Sequence, residues 1–112
     1  MDKEKPSFFD EVYKICKRIP EGKVTTYGTI AFMAGKPRYS RQVGWALHSN
    51  PEPGIIPCHR VVNRFGELSS AFAFGGKNRQ KELLEAENVK VSKENIVDLS
   101  KYLWKGPLND YE

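Results

Sequence analysis

The chain has 112 residues, of which 39% are hydrophobic and 29% charged, and its formal net charge is +4 at pH 7. This length leaves room for one domain, residues 1–112, with one modest core. No apolar run is long enough for a membrane span, and the first residues lack the apolar stretch of a signal peptide. We therefore expect a cytoplasmic protein, without a membrane partner, whose two cysteines are free thiols.

The first element is an amphipathic helix. Ser7 and Asp10 have the spacing of an N-cap pair. Apolar residues then follow at helical spacing, and the pattern predicts a helix that ends near Pro20-Glu21-Gly22. Cys16 lies on the apolar stripe of this helix, where a small buried core residue is its simplest interpretation.

Two further helices follow, joined by a tight turn. "KVTTY" is a short β-type run that leads into a helix from about Thr26 to Ala34, which Gly35 can end. "KPRYS" is a turn, and "SRQVGWALHS" is a third helix that cannot continue through Pro51 and Pro53. Two short helices around such a turn are typical of a helix-turn-helix.

The basic charge is concentrated in the middle of the chain. Eight basic and two acidic residues lie between Lys36 and Lys81, a net charge of +6, so the rest of the chain sums to −2. Such a segment suits a polyanion such as DNA or RNA, although a solvated basic face has the same composition. Arg38, Arg41 and Gln42 open the third helix with side chains suited to phosphates and bases.

The second half combines a hairpin and a helix. "RVVNRFGEL" predicts a hairpin, with Asn63 and Gly66 at the first and last positions of a type I turn. "GGKNRQKELLEAEN" predicts the last substantial helix, with Leu83 and Leu84 facing inward, and short elements close the chain. The expected fold is mostly α with small β, a winged helix-turn-helix DNA-binding domain.

The segment "GIIPCHRVVNRFG" places Cys58, His59 and Arg60 in immediate succession after Pro57. A free thiol has a pKa of roughly 8.5, and neighbouring cations or a basic partner shift it toward the nucleophilic thiolate. His59 and Arg60 are of those two types, so the motif predicts an activated nucleophile. A buried structural cysteine beside a surface histidine is the alternative that the spacing leaves open.

Two other kinds of site fit the residues poorly. Cys16, His48, Cys58 and His59 do not have the spacing of zinc ligands, and we expect neither a metal nor another cofactor. A cysteine protease needs a distant orienting histidine and a longer chain.

The motif "IPCHRVV" resembles the active-site motif of the O6-alkylguanine-DNA alkyltransferases, the methylated-DNA–protein-cysteine methyltransferase family. "GKVTTYGTIA", "SRQVGWALHSNP" and "KELLEAEN" are similar to further family segments in the same order, so the resemblance runs from about Phe8 to Val91. It implies a winged helix-turn-helix that binds double-stranded DNA with O6-alkylguanine, flips the damaged base and transfers the alkyl group irreversibly to a cysteine.

The resemblance also implies roles for individual residues. Cys58 resembles the acceptor, His59 the base that reaches it through water, and Glu87 the carboxylate that orients His59. Asn50 resembles the hinge asparagine, Tyr27 the tyrosine that supports base rotation and donates toward guanine, and Arg41 the finger that fills the vacated stack. The remaining residues that we expect at the DNA are Arg38, Ser40, Gln42, Arg60 and Arg64.

Several positions depart from the family pattern. "AFAFGG" places Ala73 and Phe74 where a tyrosine and a serine are expected, so a hydroxyl is lost. Tyr39 and Trp45 stand where small residues would help a helix enter the minor groove, and Asn88 replaces a glycine. We expect no N-terminal domain, so the chain is the minimal DNA-binding and transfer unit.

These departures resemble the alkyltransferase-like proteins, which bind alkylated DNA without repairing it and pass the lesion to nucleotide excision repair proteins. Those proteins typically have tryptophan where this chain has Cys58. Three hypotheses follow: a single-turnover alkyltransferase that works as a monomer, a lesion-recognition protein, and a winged-helix regulator with a structural cysteine.

Overall fold

A computed structural model describes residues 7–69 and 75–106 of the chain. The helices are α1 (Phe8–Cys16), α2 (Tyr27–Met33), α3 (Ser40–His48), α4 (Gly76–Ala86) and α5 (Leu99–Tyr102), and the strands are β1 (Thr25–Thr26) and β2 (Val61–Val62). The protein is therefore helical with a small two-stranded sheet. None of its helices within these ranges is long and apolar enough to cross a membrane.

The predicted cap of α1 is confirmed, and its predicted end is corrected. The Asp10 backbone N–H donates to the Ser7 hydroxyl at 3.1 Å, and the Ser7 N–H donates to the Asp10 carboxylate at 3.3 Å. The helix ends at Cys16 rather than near Pro20, because the chain tightens into turns there. Ile19 still reaches the core from this turn, and Cys16 is fully buried as predicted.

The three N-terminal helices pack around a common core. α2 and α3 have nearly the bounds that the sequence predicts, with the Thr26 hydroxyl accepting from the Thr29 N–H at the start of α2. Val12, Ile30, Val43 and Val61 are completely buried in this cluster. Removing such side chains from water is the main favourable contribution to folding. The packing therefore fixes α3 against α1 and α2.

The predicted hairpin is wrong in its pairing. The turn exists, since the Gly66 N–H donates to the Asn63 carbonyl at 2.9 Å. However, β2 pairs in parallel with β1, Thr25 opposite Val61. The returning Glu67 pairs with Ile96 instead of with β2. Local alternation could not reveal these partners, because both lie far away in sequence.

The second cluster lies under α4 and the C-terminal segment. Leu84 is completely buried together with Val24, Val62 and Val89, as predicted for its helix face. Leu83 is only half-buried and lines a cavity beside Cys58, which corrects the prediction that it faces the core. One turn of helix spaces core positions by three or four residues, so adjacent leucines cannot share one face.

Candidate functional site

Cys58 begins a single 3₁₀ turn, Cys58–Arg60, which leads directly into β2. Pro57 precedes it and is buried, and the Arg60 N–H closes the turn on the Pro57 carbonyl at 2.9 Å. The Cys58 side chain is half-buried and packs against the N-terminal core. The short, closed turn thus holds a thiol at the boundary between the core and solvent.

Asn50 fixes the surroundings of that thiol. It is buried immediately after α3, and its side-chain N–H₂ donates to the Ile56 carbonyl at 2.9 Å and to Cys58 Sγ at 3.4 Å. Its Oδ1 accepts from the Glu52 N–H at 2.8 Å. One amide therefore ties the end of α3 to the segment that carries the thiol, and it donates toward the sulfur.

Glu87, at the C-terminal end of α4, holds both residues that follow Cys58. Its Oε2 lies 2.9 Å from His59 Nε2 and 2.7 Å from an Arg60 terminal nitrogen, and its Oε1 accepts from Arg60 Nε at 2.9 Å. Arg60 also donates to the Ile19 carbonyl at 2.8 Å. The side chains of His59, Arg60 and Glu87 are only 14–16% exposed. This ion pair is bidentate, a geometry that fixes orientation as well as charge.

Arg60 consequently differs from its sequence-based assignment. We expected it at the DNA, but the structure directs its donors inward, to Glu87 and Ile19. It braces the carboxylate instead of presenting a free cation at the surface. The sequence could not reveal this, because Ile19 and Glu87 are 41 and 27 residues away.

The protonation of the cluster follows from burial and from these contacts. Burial lowers the pKa of His59, against the opposing effect of Glu87, so the imidazole is neutral at pH 7. Burial would raise the pKa of Glu87, but hydrogen bonds from Arg60 and His59 outweigh it and lower that pKa. With Nε2 donating to the carboxylate, the other ring nitrogen of His59 is left as an acceptor.

The pKa of Cys58 contradicts the expectation of a cation-activated thiol. Burial raises it, and the hydrogen bond from Asn50 opposes that rise without cancelling it. Arg60, the neighbouring cation, is bound to Glu87, and His59, the neighbouring base, is neutral and also bound to Glu87. In the free protein, the thiol form of Cys58 therefore predominates at neutral pH.

Two cavities meet at Cys58. One, of about 240 Å³, is lined by Tyr27, Gly44, Trp45, Leu47, His48, Cys58, Ser69 and Gln80. The other, of about 520 Å³, is lined by His59, Glu87, Arg79, Leu83 and the segment from Pro53 to Cys58, among others. The first opens beside α3 and the second beside the His59–Glu87 pair. We call them the α3 cavity and the α4 cavity.

Tyr27 forms part of the α3 cavity from the first position of α2. Burial raises the pKa of its phenol, while a hydrogen bond with the Ser69 side chain opposes the rise. The phenol is therefore protonated at neutral pH and keeps a proton to donate. The structure thus places Tyr27 and Cys58 at the same cavity, as the resemblance implied.

Gln80 was not singled out from the sequence. It is fully buried on α4, donates to the carbonyls of His59 and Val61 at 3.1 Å, and accepts from the Ser69 N–H at 3.0 Å. It thus joins both sides of the α3 cavity to the turn after Cys58. Its spacing of four from Leu84 is the signal that places it on the inner face.

Most of the predicted DNA contacts are exposed at the start of α3 or in the turn after β2. Ser40 and Arg41 begin α3 and are exposed, Arg38 is exposed in the loop just before it, and Gln42 is half-buried. Arg64 is exposed in the turn after β2, with its guanidinium 4.7 Å from the centre of the Phe65 ring. These placements leave the cations accessible to a polyanion, and their DNA contacts stay predictions.

Two further sequence-based expectations concern the glycine-rich segment and metal binding. Ala73 and Phe74, at the altered glycine-rich segment, lie outside the described residues. Within residues 7–69 and 75–106, no three side chains of His, Cys, Asp or Glu are grouped so that they could hold a metal ion.

Comparison with known families identifies one match that covers most of the chain. The domain family described as "6-O-methylguanine DNA methyltransferase, DNA binding domain" matches residues 7–89. This range contains every site residue discussed above, including Glu87.

Individual relatives agree with this match. A DNA base-flipping protein of Escherichia coli is 47% identical over 104 residues, covering 93% of this chain and 78% of the relative. A methylated-DNA–protein-cysteine methyltransferase of Mycobacterium tuberculosis is 40% identical over 87 residues, covering 78% of this chain but only 52% of the enzyme.

A solved structure is similar over nearly the whole chain. It is that of Schizosaccharomyces pombe Atl1 in complex with damaged DNA containing O6-carboxymethylguanine. Its TM-score is 0.79 at 40% sequence identity, and the match covers 94% of this chain and 97% of that one.

Proposed function

The chain belongs to the family of the 6-O-methylguanine DNA methyltransferase DNA-binding domain, and from this premise we propose that it is a DNA repair protein. In this proposal it binds duplex DNA, flips an O6-alkylguanine into the α3 cavity and accepts the alkyl group on Cys58. The observation that carries the proposal is the meeting of Cys58 and Tyr27 at one cavity whose wall is formed by α3.

We propose that α2 and α3 act as a helix-turn-helix, with the Asn63–Gly66 turn as the wing. The structural relative bound to damaged DNA supports this assignment. Arg41 is exposed in the first turn of α3, so it can enter the base stack where the damaged base leaves. Flipping a base costs a few kcal/mol, which a side chain inserted into the gap partly offsets.

The chemistry begins with the proton of Cys58. His59 is neutral, and its ring nitrogen not engaged by Glu87 can accept this proton through a water molecule. Glu87 holds the imidazole in that tautomer and stabilises the positive charge that develops. Asn50 donates to the sulfur at 3.4 Å, so it favours the thiolate as it forms.

The thiolate then attacks the alkyl carbon. A carbon–sulfur bond to Cys58 forms as the carbon–O6 bond breaks, and the electron pair leaves with the guanine. The Tyr27 phenol, protonated at neutral pH, can donate to this leaving group. The product is a thioether and an unmodified guanine. No group in the proposed site reverses the thioether, so each molecule acts once.

A lesion-recognition protein without efficient transfer is the second candidate. Two observations favour it: the raised pKa of Cys58, and the names of relatives, which include an alkyltransferase-like protein of S. pombe at 42% identity. Such a protein would bind the alkylated base in the same cavity and pass the lesion to nucleotide excision repair proteins. In both cases we propose a monomer of one domain that acts in the cytoplasm.

Both candidate functions require preferential binding of alkylated duplex DNA, and a binding experiment tests this requirement. The affinity for a duplex with one O6-methylguanine is compared with that for the same duplex with guanine, using the Cys58→Ser variant so that transfer cannot consume the lesion. We expect preferential binding of the damaged duplex. Equal affinity for the two duplexes would leave only a general DNA-binding protein and would contradict the proposal.

A further inference from the structure

Trp45 is a large aromatic residue that the fold leaves in solvent. Its side chain is 56% exposed, although it belongs to α3, whose other face packs in the core. The second tryptophan, Trp104, is only 8% exposed. An exposed indole in the most basic part of a chain is a feature of surfaces that stack on nucleic acid bases.

Its position is more specific than its exposure. Trp45 lines the α3 cavity together with Tyr27 and Cys58, so an indole that is half in solvent forms part of the cavity rim. Arg41 lies four residues earlier on the same helix, and side chains at this spacing are neighbours on one face. Trp45 therefore borders the cavity and shares a helix face with Arg41, the side chain that the proposal inserts into the base stack.

Gly44 leaves room beside this rim. It also lines the cavity, and a Cβ added there would meet nothing within 4 Å. Leaving aside Val43 and Trp45, its two chain neighbours, and the nearby backbone of α3, no described atom therefore fills the space around the position of that Cβ.

We propose that Trp45 is a specificity-determining contact for the flipped base: its indole packs against the purine as the base enters the α3 cavity, and it covers the base from solvent. This inference rests on the proposed function. Stacking of a base on an aromatic side chain is favourable, so a Trp45 contact would favour the flipped state over the stacked one. Because an undamaged base rarely leaves the helix, the contact increases discrimination and not only affinity.

Three variants in a Cys58→Ser background test this role. Trp45→Ala should lower the preference for the O6-methylguanine duplex over the guanine duplex on the order of tenfold, as expected for the loss of one stacking contact. Trp45→Phe should retain most of the preference, because it keeps an aromatic face. Phe32→Ala is the matched control: Phe32 is 69% exposed on α2 and is not among the residues that line the cavity, so this variant should leave the preference for the damaged duplex unchanged.

Fluorescence gives an independent readout. In a Trp104→Phe variant, emission comes from Trp45 alone, and we expect stronger quenching by the damaged duplex than by the undamaged one at equal saturation. An equal loss of affinity for both duplexes in Trp45→Ala, or equal quenching by both, would overturn the inference and make Trp45 a general DNA contact. An unchanged preference would also overturn it. If the protein with Trp45 intact shows no preference, the proposed function itself fails.

Discussion

At the scale of single residues, the site is organised around one carboxylate rather than around the thiol. Glu87 binds His59 and Arg60 at 2.7–2.9 Å, and these contacts orient both residues that follow Cys58. Cys58 Sγ accepts from the Asn50 amide, and the thiol remains protonated in the free protein. Because burial raises the pKa of Cys58, activation of the thiol requires transfer of its proton.

The first prediction concerns the pH dependence of Cys58 reactivity. Only the thiolate is nucleophilic, and burial raises the pKa of this thiol, so its rate of alkylation by iodoacetamide without DNA should rise about tenfold per pH unit from pH 6 to 8. Mass spectrometry of the peptide that contains Cys58 measures the rate. A rate that is constant over this range would mean that the thiol is already ionised.

Cys16 serves as the internal control in this experiment. It is fully buried, and burial raises its pKa to about 12. It should stay unmodified while Cys58 reacts, and Cys58→Ser should abolish labelling of the native protein.

The second prediction concerns Glu87→Gln. The amide keeps the shape but is uncharged and has one acceptor oxygen instead of two, so it cannot accept both at the Oε2 position and from Arg60 Nε. The free energy of unfolding at pH 7 should therefore fall by about 1–3 kcal/mol, the usual cost of unsatisfied buried hydrogen bonds. Urea unfolding measures this difference. Glu82→Gln is the control, because Glu82 is 68% exposed in a surface ion pair and should change stability by less than about 1 kcal/mol.

The pH dependence of that difference has a definite sign. The pKa of Glu87 is lower in the folded than in the unfolded protein, where it is about 4.3. Its stabilisation is therefore complete above this value and is lost as the pH falls through the folded-state pKa. The difference in the free energy of unfolding between the original protein and Glu87→Gln should therefore shrink as the pH falls through the folded-state pKa of Glu87. A gap that is constant from pH 7 to 3 would contradict this assignment.

At the scale of elements, the proposed function makes α3 the link between DNA binding and the α3 cavity. Its first turn carries Arg41 in solvent, and its middle carries Gly44 and Leu47 at the α3 cavity. The Asn50 amide after its end contacts Cys58. Movement of this one helix would therefore alter both the fit to DNA and the environment of the thiol.

The third prediction separates Arg41 from the other cations of this region. If Arg41 fills the gap left by the flipped base, Arg41→Ala should lower the preference for damaged over undamaged duplex on the order of tenfold. Lys36→Ala should weaken binding to both duplexes similarly, as expected of a phosphate contact. Lys36 lies before α3, with its amine 5.7 Å from the centre of the Tyr39 ring. Equal, salt-dependent losses for the two variants would make Arg41 only another cation.

The elements that depend on residues close together in the sequence could be predicted from it. The α1 cap, the bounds of α2 and α3, and the buried Cys16 follow from spacing and capping residues. The sequence could not predict the parallel pairing of β1 with β2 or the inward direction of the Arg60 side chain, because each depends on residues more than 25 positions away. The raised pKa of Cys58 was missed for the same reason, since burial is a property of the assembled fold.

At the scale of the whole molecule, the distribution of charge favours a polyanionic partner. The segment from Lys36 to Lys81 carries a net charge of +6, whereas the rest of the chain carries −2. This segment includes α3, the Cys58 turn and most of α4. Charge of one sign around a cavity attracts the phosphate backbone before the base is recognised. In the proposed function, general affinity and lesion preference are therefore carried by different side chains.

The fourth prediction follows from this separation. Affinity for undamaged duplex should fall steeply between 50 and 200 mM salt, by roughly tenfold or more if several phosphates are contacted. The ratio of affinities for damaged and undamaged duplex should change much less, because it depends on contacts in the cavity. Fluorescence anisotropy with labelled duplexes measures both. A salt-insensitive affinity would contradict a phosphate-based interface.

The most direct test of the account is the mass of the Cys58 peptide after long incubation with excess O6-methylguanine duplex. We predict slow transfer of one methyl group to Cys58, none to Cys16, and none in Cys58→Ser, whose hydroxyl is far less ionised at neutral pH. Cys58→Ser should still bind the damaged duplex, because oxygen and sulfur differ little in shape. An unmodified Cys58 in a protein that clearly prefers the damaged duplex would contradict transfer and establish recognition without repair.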